Sequence, residues 1–175
     1  MDSKFKKLSS NPTSSRVDKL QVLLRKYKDV ISEQLYNKIY PSGAKAGVLY
    51  GLPKIHKNNA PIRPIISAID TYNYHLAKYL ESILKPLIEN DEHILRDTFE
   101  FVNKISTIDI NTEKYIVSFD VESLFTNVPT DETIDLIIKR AFPKNTKWFN
   151  GLFDRDDLRQ FLKICTKESH FQFDN

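Results

Sequence analysis

The stretch YIVSFDVESLFTNVP, residues 115–129, decides how this chain is read: an apolar run ends on one carboxylate, Asp120, and the chain then turns while staying hydrophobic. Near-continuous hydrophobicity over residues 114–120 predicts a buried, central strand. An ionised carboxylate at the end of such a strand loses its hydration and must be paired or bound to a cation. The competing account is a local cap or turn acceptor, served by Thr126, Asn127 and the bend around them.

Downstream of the turn, Thr130 is the expected cap of a helix whose first turn holds Asp131 and Glu132, where carboxylates suit the positive end of the helix dipole. Asp154 is the expected cap of a last helix with Leu158, Phe161, Leu162 and Cys165 turned inward, and HFQFDN, residues 170–175, starts another strand. Asp154, Asp156 and Asp157 look like a metal cluster, but they sit where a cap and first-turn acids belong and read as structural. His75 and His93 read as core or surface histidines, and Cys165 as inert packing.

Upstream, residues 1–15 form a polar leader, and 17–40 predict one helix with Val17, Leu20, Leu24, Tyr27 and Ile31 at helical spacing, broken by Pro41 and Gly43. VLYGLPKIHK, residues 48–57, and APIRPIISAI, residues 60–69, predict a two-stranded ribbon. Pro53, Pro61 and Pro64 each remove a backbone donor and so place both strands at an edge. Alternation puts Arg63, Ile65 and Ser67 on one face, opposite Ile62 and Ile66, and lets Lys54 and His56 share a face. Residues 72–88 predict a helix with a stripe of Leu76, Tyr79, Leu80, Ile83, Leu84 and Leu87, ended by Pro86. Asp97 and Glu100 have capping-box spacing for another helix carrying Phe101, Val102 and Ile105.

A chain of 175 residues is long enough to bury the core of one domain, and an apolar fraction of 41% excludes a disordered chain. A single cysteine excludes an internal disulfide and suits a reducing, intracellular setting. The N-terminus lacks the apolar core of a signal peptide, and no apolar run reaches membrane-spanning length. The net charge of +3 is unevenly placed. Residues 1–70 hold 13 Lys/Arg against 5 Asp/Glu, a balance of +8, and residues 71–175 hold 13 against 18, a balance of −5. A basic front half suits a polyanion such as a phosphate backbone, the alternative being a solvated basic surface.

Four blocks in order, YGLPKIHK, PIRPIISAID, HLAKYLESILKPL and YIVSFDVESLFTNVPTDETIDLI, resemble the reverse transcriptase domain of Penelope-like retroelements, over residues 48–141 and more weakly beyond. The resemblance implies an α+β fold, a partial right-hand polymerase (fingers and part of palm) with an antiparallel β-ribbon and several helices. Residues 1–47 are then an N-terminal leader and helix, and 48–175 the N-terminal portion of the domain, with fingers ribbon 48–69, helices 72–107, palm strand 114–120 and helices 130–168. Within it Asp120 matches the catalytic aspartate of the first palm motif, a ligand of two Mg2+ ions, and Val121 supplies a backbone carbonyl to one of them. Phe125 matches the aromatic residue beneath the sugar of the incoming nucleotide, excluding a 2′-hydroxyl. Arg63 matches the fingers arginine that grips the triphosphate, with Lys54 as companion, and Lys57, His56 and Tyr50 reach template phosphates or bases.

The implied partners are an RNA template, a DNA primer and dNTPs, with no membrane, and the implied location is the nucleus. The family's later glycine-containing and paired-aspartate motifs are not in this sequence, so the chain is expected to be a fragment, inactive alone, from a truncated element copy or a partial gene model. A non-catalytic RNA-binding remnant is the alternative. A metal-dependent hydrolase around Asp120 lacks a second carboxylate or histidine at suitable spacing.

Overall fold

The computed structural model describes residues 5–89, 91, 93–108, 115–122, 124–143, 146–147 and 149–173, without the side chains of Phe125 and Thr126. Where one long N-terminal helix is expected, two form: α1 (Thr13–Arg25), which starts inside the expected polar leader, and α2 (Glu33–Ile39). Apolar spacing continues through the break, since Tyr27 and Ile31 stay buried, but local hydrogen bonding decides the backbone. The amide of Tyr27 closes back on the carbonyl of Leu24 at 2.9 Å, a tighter turn than an α-helix makes. Ser32 is extended and accepts from the amide of Leu35, so it caps a new helix instead of continuing the old one.

The ribbon forms as β1 (Gly47–Pro53) and β2 (Ile62–Ser67), antiparallel, with Tyr50 opposite Ile65 and Leu52 opposite Arg63. β3 (Phe171–Gln172) lies parallel to β1 on its other side, giving the order β2-β1-β3. β1 is therefore the middle strand, not an edge. The expectation from Pro53 fails because β3 pairs only with Gly47 and Val48, at the end of β1 far from the proline. Gly47 lets three backbones converge there: a Cβ on it would lie 2.9 Å from the carbonyl oxygen of Ser67 and 3.2 Å from that of His170.

α3 (Tyr74–Leu84) passes into a 3₁₀ turn, Lys85–Leu87, that accommodates Pro86. After α4 (Thr98–Ser106) and the short α5 (Leu124–Asn127) come α6 (Thr130–Ala141) and α7 (Arg155–Thr166). α7 packs on α3 and α6, and α2 packs on α3. Leu20 and Leu24 of α1, Leu76 of α3, Ile134 and Ile138 of α6, and Leu158, Phe161 and Ile164 of α7 are buried together. Phe153 joins them, its ring centroid 5.0 Å from that of Tyr27 and 5.3 Å from that of Phe161. The result is a mixed α+β fold whose core is mainly helical.

Two expected features of this half differ. Thr130 does not cap α6: its hydroxyl donates to the carbonyl of Val128, and Pro129 holds the capping position without a side-chain bond. Residues 115–120 form no strand and are exposed, Ile116 to 83% and Phe119 to 91%. A strand satisfies its amides and carbonyls on neighbours, and the described sheet is built wholly from residues 47–53, 62–67 and 171–172. Lys114, the first residue of the expected strand, lies outside the described residues.

Candidate nucleic-acid interface

The β1–β2 ribbon carries most of the cationic and aromatic side chains singled out in the sequence. Directly opposed residues of an antiparallel pair share a face, so the observed register sets Tyr50 and Leu52 with Arg63 and Ile65 on one face. Leu49, Gly51 and Pro53 share the other with Ile62, Pro64 and Ile66. Arg63 and Tyr50 are exposed, and Lys54 is half-buried where its amide extends the ladder to the carbonyl of Pro61 at 2.9 Å.

Beyond Lys54 the chain leaves the sheet. The amide of Lys57 donates to the carbonyl of Lys54, and the amide of Ala60 to that of Lys57, each at 3.0 Å. Asn59 and Ala60 take positive φ values of 62° and 39°, which Asn tolerates and Ala adopts only with strain. His56 thus sits in a turn and not on a strand face with Lys54, because the alternation ends at Pro53. His56 and Lys57 are exposed at the ribbon tip. A two-stranded ribbon with an aromatic ring and a guanidinium on one face, and a lysine at its tip, can stack a base and neutralise phosphates along a single strand.

Asp120 and Val121 lie elsewhere, exposed in irregular chain ahead of α5. The turn there is closed by Asn127, whose side-chain amide donates to the carbonyl of Glu122 at 2.7 Å. Phe125 is placed by its backbone in α5, and its side chain lies outside the described residues. Two magnesium ions need several converging hard oxygen ligands. Among the described residues no three His, Cys, Asp or Glu side chains converge as such a group would require. The described residues, as arranged, do not fit a two-metal centre.

Cys165 is half-buried, and burial pushes its thiol up to about 12, which fits inert packing. His75 and His93 are exposed. Two groups escaped sequence reasoning, at least in their role. Asp157 reads as an ordinary first-turn acid but is the buried acceptor for Tyr27 and Lys26. His170 precedes a short strand, and its partners stand 154 and 157 residues away in the chain, beyond any local pattern. Among the described residues no helix is long and apolar enough to cross a membrane. No protein-family model matches the sequence, and no curated protein or solved structure matches it.

Proposed function

We propose that this chain carries the fingers ribbon and first palm motif of an RNA-directed DNA polymerase of the Penelope-like kind, and that the β1–β2 ribbon is the part that meets nucleic acid. The observation that carries this reading is the ordered set of four sequence blocks. The register that brings Tyr50 and Arg63 to one exposed face supports it. In this reading the intact activity adds dNTPs to a DNA primer on an RNA template in the nucleus, with Arg63 and Lys54 on the triphosphate and Phe125 against the sugar. Asp120 and the carbonyl of Val121 supply only part of the donors that two Mg2+ ions require, so the contribution of these residues as arranged is binding. A second reading, an RNA-binding module without chemistry, is favoured by the exposure of Asp120 away from other converging ligands.

Filter binding of single-stranded RNA to the 175-residue chain, across a salt series, tests the shared part. Affinity should fall steeply with salt, and Lys57→Ala should flatten the logarithmic slope by about 0.7. Tyr50→Ala should weaken binding by about 1–3 kcal/mol if its ring stacks a base. No binding at low salt overturns both readings. Retention of a labelled dNTP separates them: dNTP held by the chain and weakened by Arg63→Ala supports the polymerase reading, and RNA binding without dNTP retention supports the module.

A further inference from the structure

His170 is buried, 9% exposed, in the residue before β3. Nη1 of Arg16 lies 2.7 Å from its Nδ1. A guanidinium has no lone pair to offer, so Arg16 donates and Nδ1 is the acceptor. The ring proton therefore sits on Nε2, which donates to Oγ1 of Thr13 at 2.8 Å, and the Thr13 hydroxyl donates onward to Oδ1 of Asn11 at 2.6 Å. Every bond in this relay runs one way, from Arg16 to Asn11, and it closes only around a neutral imidazole. A proton added at Nδ1 would set one N–H against another at the 2.7 Å contact and place two cations together.

The surroundings offer little to offset that charge. From α1 come Arg16 and Lys19, and Lys19 is paired with Glu168, the acid nearest on the histidine's own segment. From the segment before α3 comes Tyr72, whose ring centroid is 6.2 Å from the imidazole and whose hydroxyl donates to the carbonyl of Glu168 at 3.0 Å. From β1 comes an uncharged group, the amide of Gly47, which donates to the carbonyl of His170 at 3.2 Å. Burial first, and then the Arg16 guanidinium, hold the ring's pKa below the ordinary histidine value.

Beside the ring, β3 and the start of α1 have few other ties among the described residues: Phe171 meets the Phe5 ring edge-on with centroids 5.4 Å apart, and Val17 packs against the core. β3 pairs with β1 through two residues, Gly47 with Phe171 and Val48 with Gln172. The first turn of α1 lies on exposed or half-buried residues, whereas Leu20, Leu23 and Leu24 anchor the rest of that helix in the core. We propose that His170 is a proton-operated clasp: neutral, it holds the first turn of α1 and β3 against the start of β1; protonated, it releases both and bares the edge of β1 at Gly47 and Val48. The released state binds the proton with the ordinary affinity, near pH 6.5. The closed state is thus fully favoured above that pH and loses up to tenfold per pH unit as the pH falls from there toward the depressed folded pKa.

Nitrogen-15 NMR of the 175-residue chain between pH 5 and 7.5 reads the clasp directly. The expected ring is the Nε2–H tautomer, titrating below the ordinary histidine value. Amide protection at Gly47, corrected for intrinsic exchange, should fall as much as tenfold per unit below about pH 6.5 while core amides of α7 hold. His170→Gln keeps one donor and one acceptor without titrating, and should flatten the pH response. Arg16→Met should raise the His170 pKa. An Nδ1–H tautomer, a ring titrating at or above the ordinary histidine value, or Gly47 protection unchanged after the ring has charged would overturn the clasp, and these readouts need only the unsubstituted chain.

Discussion

Asp157 is the residue on which the two ends of the core meet. Its side chain is 7% exposed, accepts from the Tyr27 hydroxyl at 2.6 Å and from Lys26 Nζ at 3.0 Å, and its amide donates to Asp154 Oδ1 at 2.8 Å. The two side-chain partners contribute unequally. Lys26 is 59% exposed, so water competes for its ammonium and the pair is worth at most about 1 kcal/mol. Tyr27 is buried, and burial together with the carboxylate it serves drives its phenol pKa up, so its proton stays on oxygen and donates. Tyr27→Phe should cost about 1.5–3 kcal/mol, the range for a hydrogen bond to a charged acceptor, and Lys26→Met less than about 1 kcal/mol. Urea denaturation of the two variants decides it, and equal losses would show that the ion pair, not the phenol, holds the carboxylate. At this scale the sequence discloses Asp157 as a helix acid and conceals its burial, because Tyr27 lies 130 residues earlier.

The helix caps separate what local chemistry specifies from what tertiary packing adds. Asp97 accepts from the amide of Glu100 and Asp154 from that of Asp157, both at 2.8 Å, and both were legible as spacings. The Glu100 carboxylate does not return to Asp97 as a full capping box requires; it takes the amide and guanidinium of Arg96, which with Lys104 hold its pKa down at about 2. The helices differ in what they bury. α7 places Leu158, Phe161, Leu162 and Ile164 in the core, while α4 buries no residue and leaves Phe99 80% exposed. Asp154→Ala should therefore lower global stability by about 1 kcal/mol. Asp97→Ala should leave it unchanged and only speed amide exchange within α4, as denaturation and hydrogen exchange on the two variants would show. A measurable global loss from Asp97→Ala would mean that α4 is coupled to the core. The same contrast explains the reading of residues 115–120. The Asp97 and Asp154 caps and the alternation along the ribbon depend on near neighbours and were legible, the Thr130 cap was not, and a strand exists only where another segment pairs with it, which hydrophobicity alone cannot supply. The hairpin that holds Tyr50, Arg63 and Lys57 was legible for the same reason, with the place of His56 and the edge position of β1 misjudged.

Among the described residues, apolar side chains are either packed in a helical core or left exposed, and residues 115–119 form a continuous exposed run. Tyr115, Ile116, Val117 and Phe119 are all solvent-facing, and YIVSF combines β-branched and aromatic residues with neither charge nor proline. Such a segment, outside any described strand and with its side chains in water, is a template for intermolecular strand pairing. The chain should therefore associate as its concentration rises, most strongly at high salt, where its net charge of +3 is screened. Val117→Lys puts a charge at the centre of the segment at a position already 69% exposed, so it removes no buried contact. Light scattering over a concentration series should show association suppressed in this variant, with a thermal midpoint within a few degrees of the parent's. Undiminished association would place the sticky surface elsewhere, for instance on the exposed apolar face of α4 around Phe99. A large drop in the midpoint would mean that residues 115–121 pack in the folded chain after all.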